Sequence, residues 1–428
     1  MRRRASWRLA TAFSLVVVAG LVAVPDTALA APAIRLSAPA KLRVADVPGS
    51  VDYLTKKYGV SVDEAMRRLE LQRTSGALHT VLTRDYADSY AGSWIDQENG
   101  GVLVIASTAA EALVPALSAI PDRSHVRVAA VRHSLKELKA KAADVGARLG
   151  LTPEQAPVIN EEKNRVELHN QAAAAVRGSA SRLATAGDLD VTVIDPPTIT
   201  LQRGPCEIQA CFPPMRGGLR LDLYDVNYYK LAGDFCTSGF NVKGSNGWKY
   251  TLTAGHCLTG ESYYTKHTDV FVGRREASTS NSEYPADGAL MPFVTRGFTE
   301  YVKTWAKWPY NTVIHYSTKA FPIFGMWAYN DVRVGWVVCS TGARSNNTRC
   351  GDITKKDGGF QSNICTQSGD SGSPLYSEVD NKAYGILHGS SGLGCWTGKT
   401  SYWSSLTYIF NMAKKSGLTF ELVTDPDP

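Results

Sequence analysis

The first 205 residues of this 428-residue chain contain no cysteine, although eight follow from Cys206 onward. Disulfide staples are therefore excluded from the N-terminal half. Long apolar runs are scarce as well: beyond residue 24 no apolar run is long enough to span a bilayer as a helix. A dominant charge is also missing. The formal charge is +6, and half of it falls in residues 1–30, with four Arg against one acid. Residues 31–203 hold 21 bases against 20 acids, and residues 204–428 hold 21 against 19. Neither segment has a concentrated basic field, so nucleic acid is not an expected partner. With 44% apolar and 20% charged residues, a disordered or fibrous chain is excluded, and the length has room for two or three domains.

What is present begins with an address. Arg2, Arg3, Arg4 and Arg8 precede an uncharged run from Leu9 to Val24, followed by Ala28-Leu29-Ala30. A basic start, a short apolar core and small residues at an A-x-A site read as a secretory signal peptide over residues 1–30. An uncleaved anchor is the alternative, but about 16 apolar residues fall short of the roughly 20 a span needs. The adjacent arginines raise a twin-arginine route, and general secretion is preferred because nothing after them strengthens it. The expected product is secreted and extracellular, free of the membrane once the signal is removed, in a compartment where disulfides persist.

Residues 31–200 read as a small α+β unit. Ser61-Val-Asp-Glu64 and Ser134-Leu-Lys-Glu137 have capping-box spacing and open two helices, the second ending near Gly150. Gly101–Ala106 and Val126–Val131 read as short strands between them. His79, His125, His133 and His169 are scattered among polar neighbours, and surface or internally satisfied histidines are the expectation for all four. Asp195-Pro-Pro197 through Pro213-Pro214 reads as a linker. Residues 201–428 have another texture, with Gly, Ser, Thr, Tyr and Trp frequent and short β-rich runs such as Trp248–Thr253 and Val332–Val338. That is an all-β pattern, with one late helix marked by Leu406, Ile409, Phe410 and Ala413 before Gly417.

Two strings carry chemistry: Thr253-Ala-Gly-His-Cys257 and Gly369-Asp-Ser-Gly-Ser-Pro374. Nucleophilic hydrolysis of an acyl bond needs a hydroxyl, a base to take its proton and a group that orients the base. Glycines around a serine permit the tight turn that aims N–H groups at a developing oxyanion. A serine-rich turn beside a core histidine is the bland alternative. Both strings, in this order, in an exported β-rich chain, make that a poor explanation.

From about Arg216 to Phe420 the sequence resembles the chymotrypsin-like serine peptidases, and within them the secreted bacterial streptogrisin and α-lytic group. Four blocks carry the resemblance: Phe235–Val242, the histidine string, Tyr284-Pro-Ala-Asp-Gly-Ala-Leu290 and Cys365-Thr-Gln-Ser-Gly-Asp-Ser371. It implies two Greek-key β-barrels with a C-terminal helix. Carried over, Ser371 is the nucleophile, His256 the general base and then acid, and Asp287 the orienting carboxylate. The N–H groups of Gly369 and Ser371 form the oxyanion hole. Asp269 also follows the histidine, but its neighbours do not match. Asp370 is expected to shape the nucleophile loop, with no partner named, and Ser373 departs from the family's glycine. The resemblance also implies disulfides Cys236–Cys257, Cys339–Cys350 and Cys365–Cys395, which leaves Cys206 with Cys211. Zinc is the competing reading of the cysteines, and they lack the paired ligand spacing. No metal or other cofactor is called for.

The segment Gln361–Ser368 has no acid, so a substrate Lys or Arg would lie without a counter-charge and trypsin-like specificity is not expected. Ser368, His388 and Ser391 fall where glutamate-specific relatives of the streptogrisins place a serine, a histidine and a serine around the substrate side chain. Such a trio can bind a carboxylate. His388 packed under the pocket is the alternative, and Gly389 stands where relatives usually have a serine supporting the catalytic aspartate. Tyr90–Asp96 and Gly101–Ile105 resemble the pro-region of the α-lytic group, which implies a folding aid and inhibitor for residues 31–200, with a permanent accessory domain as the alternative. Removal is expected between Gly187 and Gly204. The sequence thus reads as the zymogen of a monomeric serine endopeptidase acting on peptides or proteins. A catalytically silent relative that binds peptides or another protein is the other class, and esters are substrates the same triad could cleave.

Overall fold

A computed structural model of the chain describes residues 34, 36, 41–151, 156–169, 191–194, 200–201, 215–227, 229–260, 263–267, 270–293, 311–316, 319–392, 395 and 398–424. The signal segment, the Cys206–Cys211 pair and Asp269 lie outside the described residues. No helix among the described residues is long and apolar enough to cross a membrane.

The N-terminal unit is α+β. Strands Tyr90–Asp96, Val102–Ser107 and Val126–Ala130 form one sheet, antiparallel and then parallel, flanked by helices Val62–Asp85 and Leu135–Leu149. Both helices start where their caps predict. Ser61 Oγ accepts from the Glu64 amide at 3.2 Å. At Ser134 the capping box is complete, and Gly150 ends that helix in the left-handed region at φ 63°. A helix that the sequence did not signal, Pro48–Tyr58, precedes them. A second sheet is formed by Val158–Asn160, Arg165–His169 and Val191–Ile194.

Residues from Met215 onward form the all-β part. Its first half combines a five-stranded sheet, with Lys249–Thr253 between Gly288–Pro292 and Asn241–Gly244, and a four-stranded sheet around Arg220–Tyr224. In its second half, six strands run in the order Lys382–Ser390, Pro374–Ser377, Val337–Gly342, Asn347–Lys356, Phe360–Ser362 and Ser401–Ser405. The last pairs back onto the first, so the sheet closes on itself and its central edges vanish. Helix Leu406–Ala413 follows at once, with Ser405 Oγ as its cap. Together these make the expected chymotrypsin-like architecture.

One expected strand is corrected. Of Val332–Val338 only the last two residues enter a strand, because Gly335 turns the chain at φ 83°. The backbone groups so released are taken by the N-terminal unit. Ile95 N donates to Val334 O at 2.9 Å, Gln97 Nε2 to Gly335 O at 2.8 Å, and Gln72 bonds both the amide and the carbonyl of Val337. One apolar cluster runs through both parts, joining Leu78, Leu82 and Ile95 to Val332, Trp336 and Phe360. Burying each such leucine is worth roughly 1.5–3 kcal/mol. Beside it lies a buried ion cluster: Glu161 Oε1 is 3.1 Å from Arg333 and 3.5 Å from Lys356, while the Arg333 guanidinium lies against the His79 ring. His79 is thus internally satisfied, as expected, also facing Tyr90 Oη at 2.9 Å. At the start of helix Pro48–Tyr58, the Gly49 and Ser50 amides and Ser50 Oγ all donate to the Glu378 carboxylate.

Strand Thr200–Leu201 pairs antiparallel with the end of Lys382–Ser390, Thr200 against Ser390 and Leu201 against Gly389.

Candidate active site

Each of the three predicted triad residues follows or precedes a strand that fixes it. Lys249–Thr253 delivers His256 on a short 3-10 turn, Gly255–Leu258, pinned by the Cys236–Cys257 disulfide. Gly255 is required there, since a Cβ would lie 1.9 Å from the Asn281 carbonyl oxygen. Asp287 immediately precedes Gly288–Pro292. Ser371 lies on the turn before Pro374–Ser377, and its carbonyl accepts from Thr237 N at 2.7 Å.

These supports bring the three side chains together. His256 Nε2 is 2.9 Å from Ser371 Oγ, and His256 Nδ1 is 2.6 Å from Asp287 Oδ2. Asp287 Oδ1 also accepts from the His256 amide at 3.0 Å, so the carboxylate grips ring and backbone alike. Asp287 is fully buried. Burial alone would raise its pKa, but the His256 and His388 imidazoles outweigh it and hold the carboxyl below the ordinary aspartate value. An ionised carboxylate only accepts, so the ring nitrogen facing it is the protonated one, and Nε2 is left to receive a proton from Ser371.

The turn that carries Ser371 is held by a partner invisible in the sequence. Asp370 accepts at Oδ1 from the Arg344 and Ser345 amides, at 2.9 and 2.8 Å, and at Oδ2 from the Gln367 amide and Ser345 Oγ. Burial still leaves its pKa raised. Gly369 has φ 101°, and a Cβ on it would meet Phe235 at 2.6 Å. Only glycine fits both conditions.

The chain is also similar to known proteins. Residues 63–116 match the family model described as alpha-lytic protease pro N-terminal. Serine protease 2 of Streptomyces fradiae is 30% identical over 183 residues, which are 40% of this chain and 96% of that protein. The chain belongs to the streptogrisin and α-lytic group of chymotrypsin-like serine peptidases. Serine protease 1 of the same organism is 29% identical over 205 residues, 47% of this chain, and there the match spans about half of the relative's length. Among solved structures, Nocardiopsis protease matches over 49% of this chain and 98% of its own, at 22% identity and a TM-score of 0.36.

Three streptogrisin-type disulfides are formed: Cys236–Cys257, Cys339–Cys350 and Cys365–Cys395. Ser373, where the group has glycine, is buried, and Ser340 Oγ donates to its hydroxyl at 3.2 Å. The extra hydroxyl is therefore accommodated. Ser368 is half-buried, Ser391 is exposed and accepts from the Thr400 amide at 3.0 Å, and His388 turns instead to the triad, its Nδ1 2.6 Å from Asp287 Oδ2. A cation that the sequence reading missed, Lys399, is 4% exposed and donates from Nζ to the carbonyl of Thr366. Burial lowers its pKa. Ligand atoms of His256, Asp287 and His388 lie within 4.8 Å of one another, but the two imidazoles fill the carboxylate as hydrogen-bond donors. The other such group, Cys339, Cys350 and Glu378, contains a disulfide and so no thiolate ligand.

Proposed function

We propose that the chain is the precursor of a secreted serine endopeptidase that works through Ser371, His256 and Asp287. The observation that carries this is the unbroken relay from Asp287 Oδ2 to His256 Nδ1 and from His256 Nε2 to Ser371 Oγ, at 2.6 and 2.9 Å. As Ser371 Oγ attacks the carbonyl carbon of a peptide, its proton passes to His256 Nε2. The carbonyl oxygen becomes an oxyanion facing the N–H groups of Gly369 and Ser371. His256 then gives the proton to the departing amine, leaving an acyl-serine. Water, deprotonated by the same Nε2, releases the acid and restores the hydroxyl. Asp287 stays ionised throughout and stabilises the imidazolium. Labelling of Ser371 by a fluorophosphonate tests the reading, because the reagent needs an activated hydroxyl. A properly processed chain that takes no label would be a binding module instead.

In the same reading, residues 31–200 are a pro-region that assists folding and inhibits the enzyme. Support comes from the Thr200–Leu201 strand, which lies along Gly389–Ser390 as an extended peptide would. Expression of residues 201–428 alone tests the folding role; efficient unaided refolding to active enzyme would remove it.

The finer reading is cleavage after glutamate, resting on Ser368, His388 and Ser391 with Lys399 added. Lys399 sits on the carbonyl of Thr366, in the segment leading to the nucleophile, where it favours a substrate carboxylate over a cation. His388 can serve a substrate only through Nε2, since Nδ1 faces Asp287. Peptides differing only in the residue before the cleaved bond decide it, and a preference for Phe or Leu over Glu sinks the glutamyl reading.

A further inference from the structure

Asp287 is the meeting point of two imidazoles, and the reaction as described uses only one. Nδ1 of His256 and Nδ1 of His388 each lie 2.6 Å from the same oxygen, Oδ2. The second contact has an evident structural cause. In the pairing of Lys382–Ser390 with Ser401–Ser405 the register slips between Leu387 and Gly389, leaving His388 as the extra residue of a β-bulge. A bulge re-aims the side chain of its unpaired residue, here inward to the triad. The backbone on one side is bonded to the nucleophile loop: Gly372 N donates to Leu387 O at 2.8 Å, and Leu387 N to Ser373 O at 2.9 Å. The ring is held by aromatic neighbours. His256 crosses it edge-on with centroids 5.5 Å apart, and Tyr284 lies 5.5 Å away on another side. Tyr284 Oη is in turn bonded to Asp357. At 6% exposure, His388 is not a surface residue that happens to lean inward.

We propose that His388 is a positioning residue for catalysis, donating its Nδ1–H to Asp287 Oδ2 and thereby fixing the carboxylate that orients His256. The inference rests on the peptidase reading of Ser371, His256 and Asp287. Without His388, the His256 amide on Oδ1 is, among the described residues, the one other bond that fixes the carboxylate plane, and Oδ2 is held by His256 Nδ1 alone. A second charge-assisted bond to the same oxygen tightens that hold and spreads the negative charge, so Asp287 stays ionised when His256 becomes imidazolium. The groups facing His388 are Asp287 and His256 from the triad and Tyr284, with Asp357 behind it.

The test uses the full chain, allowed to process itself, carrying His388→Asn, His388→Phe or no change. An asparagine amide can place an N–H near the Nδ1 position but does not titrate, whereas phenylalanine keeps the ring and loses the donor. On a peptide with Leu before the cleaved bond, which asks nothing of His388 Nε2, His388→Phe is expected to lower kcat about 10- to 100-fold with KM little changed, the cost of a misaimed base. His388→Asn is expected to restore kcat to within about threefold of wild type at neutral pH. A proton NMR spectrum should show two downfield imidazole N–H signals in the wild type and one in His388→Asn. Wild type that hydrolyses peptides while His388→Phe matches it, or His388→Asn no faster than His388→Phe, overturns the role of His388 alone. A correctly folded wild type inert to fluorophosphonate overturns the peptidase reading, and the positioning role falls with it.

Discussion

Leu201 pairs with Gly389, one residue beyond the histidine that holds the triad carboxylate. With Thr200 against Ser390, the strand runs toward Leu387, whose carbonyl receives the amide of Gly372 beside the nucleophile. The described strand therefore points along the edge that leads to the nucleophile loop. Self-cleavage is expected within two or three residues after Leu201, giving a new N-terminus between Gln202 and Pro205. N-terminal sequencing of the processed enzyme checks this, and Ser371→Ala should accumulate the uncut chain. A start upstream of Thr200 would show that the strand is not the one cut.

Asp287→Asn should lower kcat by about 10⁴-fold while leaving substrate binding nearly intact. The amide cannot stabilise the imidazolium, and it would present its NH₂ or its carbonyl to two Nδ1 groups at once. Steady-state kinetics on a peptide ester and a peptide amide would measure it. A loss below tenfold would contradict the role given to Asp287.

Gly369→Ala should cost at least about 100-fold in kcat, because the new Cβ meets Phe235 at 2.6 Å and the backbone sits at φ 101°. The turn must shift, and with it an oxyanion donor. Fluorophosphonate labelling rates would fall in parallel.

Acid should loosen the grip of the pro-region. His79 is depressed below its ordinary 6.5, first by burial and then by Arg333, so it prefers to be neutral in the docked state. Released His79 takes up a proton below about pH 6.5, and docking is favoured above that value and weakened as the pH falls past it. Glu161 acts in the same direction. Burial opposes its ionisation, but Arg333 and Lys356 prevail and hold it below 4.5, so its contribution is present above 4.5 and lost at lower pH. Inhibition of the mature enzyme by its own cleaved pro-region should therefore weaken between pH 7.5 and pH 5. Arg333→Met should weaken it at both.

The histidine and serine strings were legible because the glycines that shape each turn stand beside His256 and Ser371 in short contiguous runs. The helices opened by Ser61 and Ser134 were legible for the same reason, each cap lying within four residues of what it caps. What failed to show was set by distant pairing. The contact of His388 with Asp287 depends on a bulge against Ser401–Ser405, which no spacing within Lys382–Ser390 reveals. Val332–Val338 had strand composition, yet Gly335 turns it and the N-terminal unit takes its backbone groups. The partners of Asp370 come from Arg344 and Ser345, some 25 residues away on another turn. Helix Pro48–Tyr58 caps onto Glu378, more than 300 residues downstream.

The cysteine-free stretch has a consequence for timing. With no cysteine before Cys206, no disulfide can tie residues 31–200 to the barrels, and every described contact across that seam is non-covalent. One peptide cleavage then turns a tethered neighbour into a separate molecule. While tethered, its effective concentration is set by the linker; once cut, it is set by the surrounding volume. Under the inhibitory role proposed for residues 31–200, dilution alone would be the trigger, and an enzyme released into a large volume would start working sooner than the same enzyme held in a crowded one.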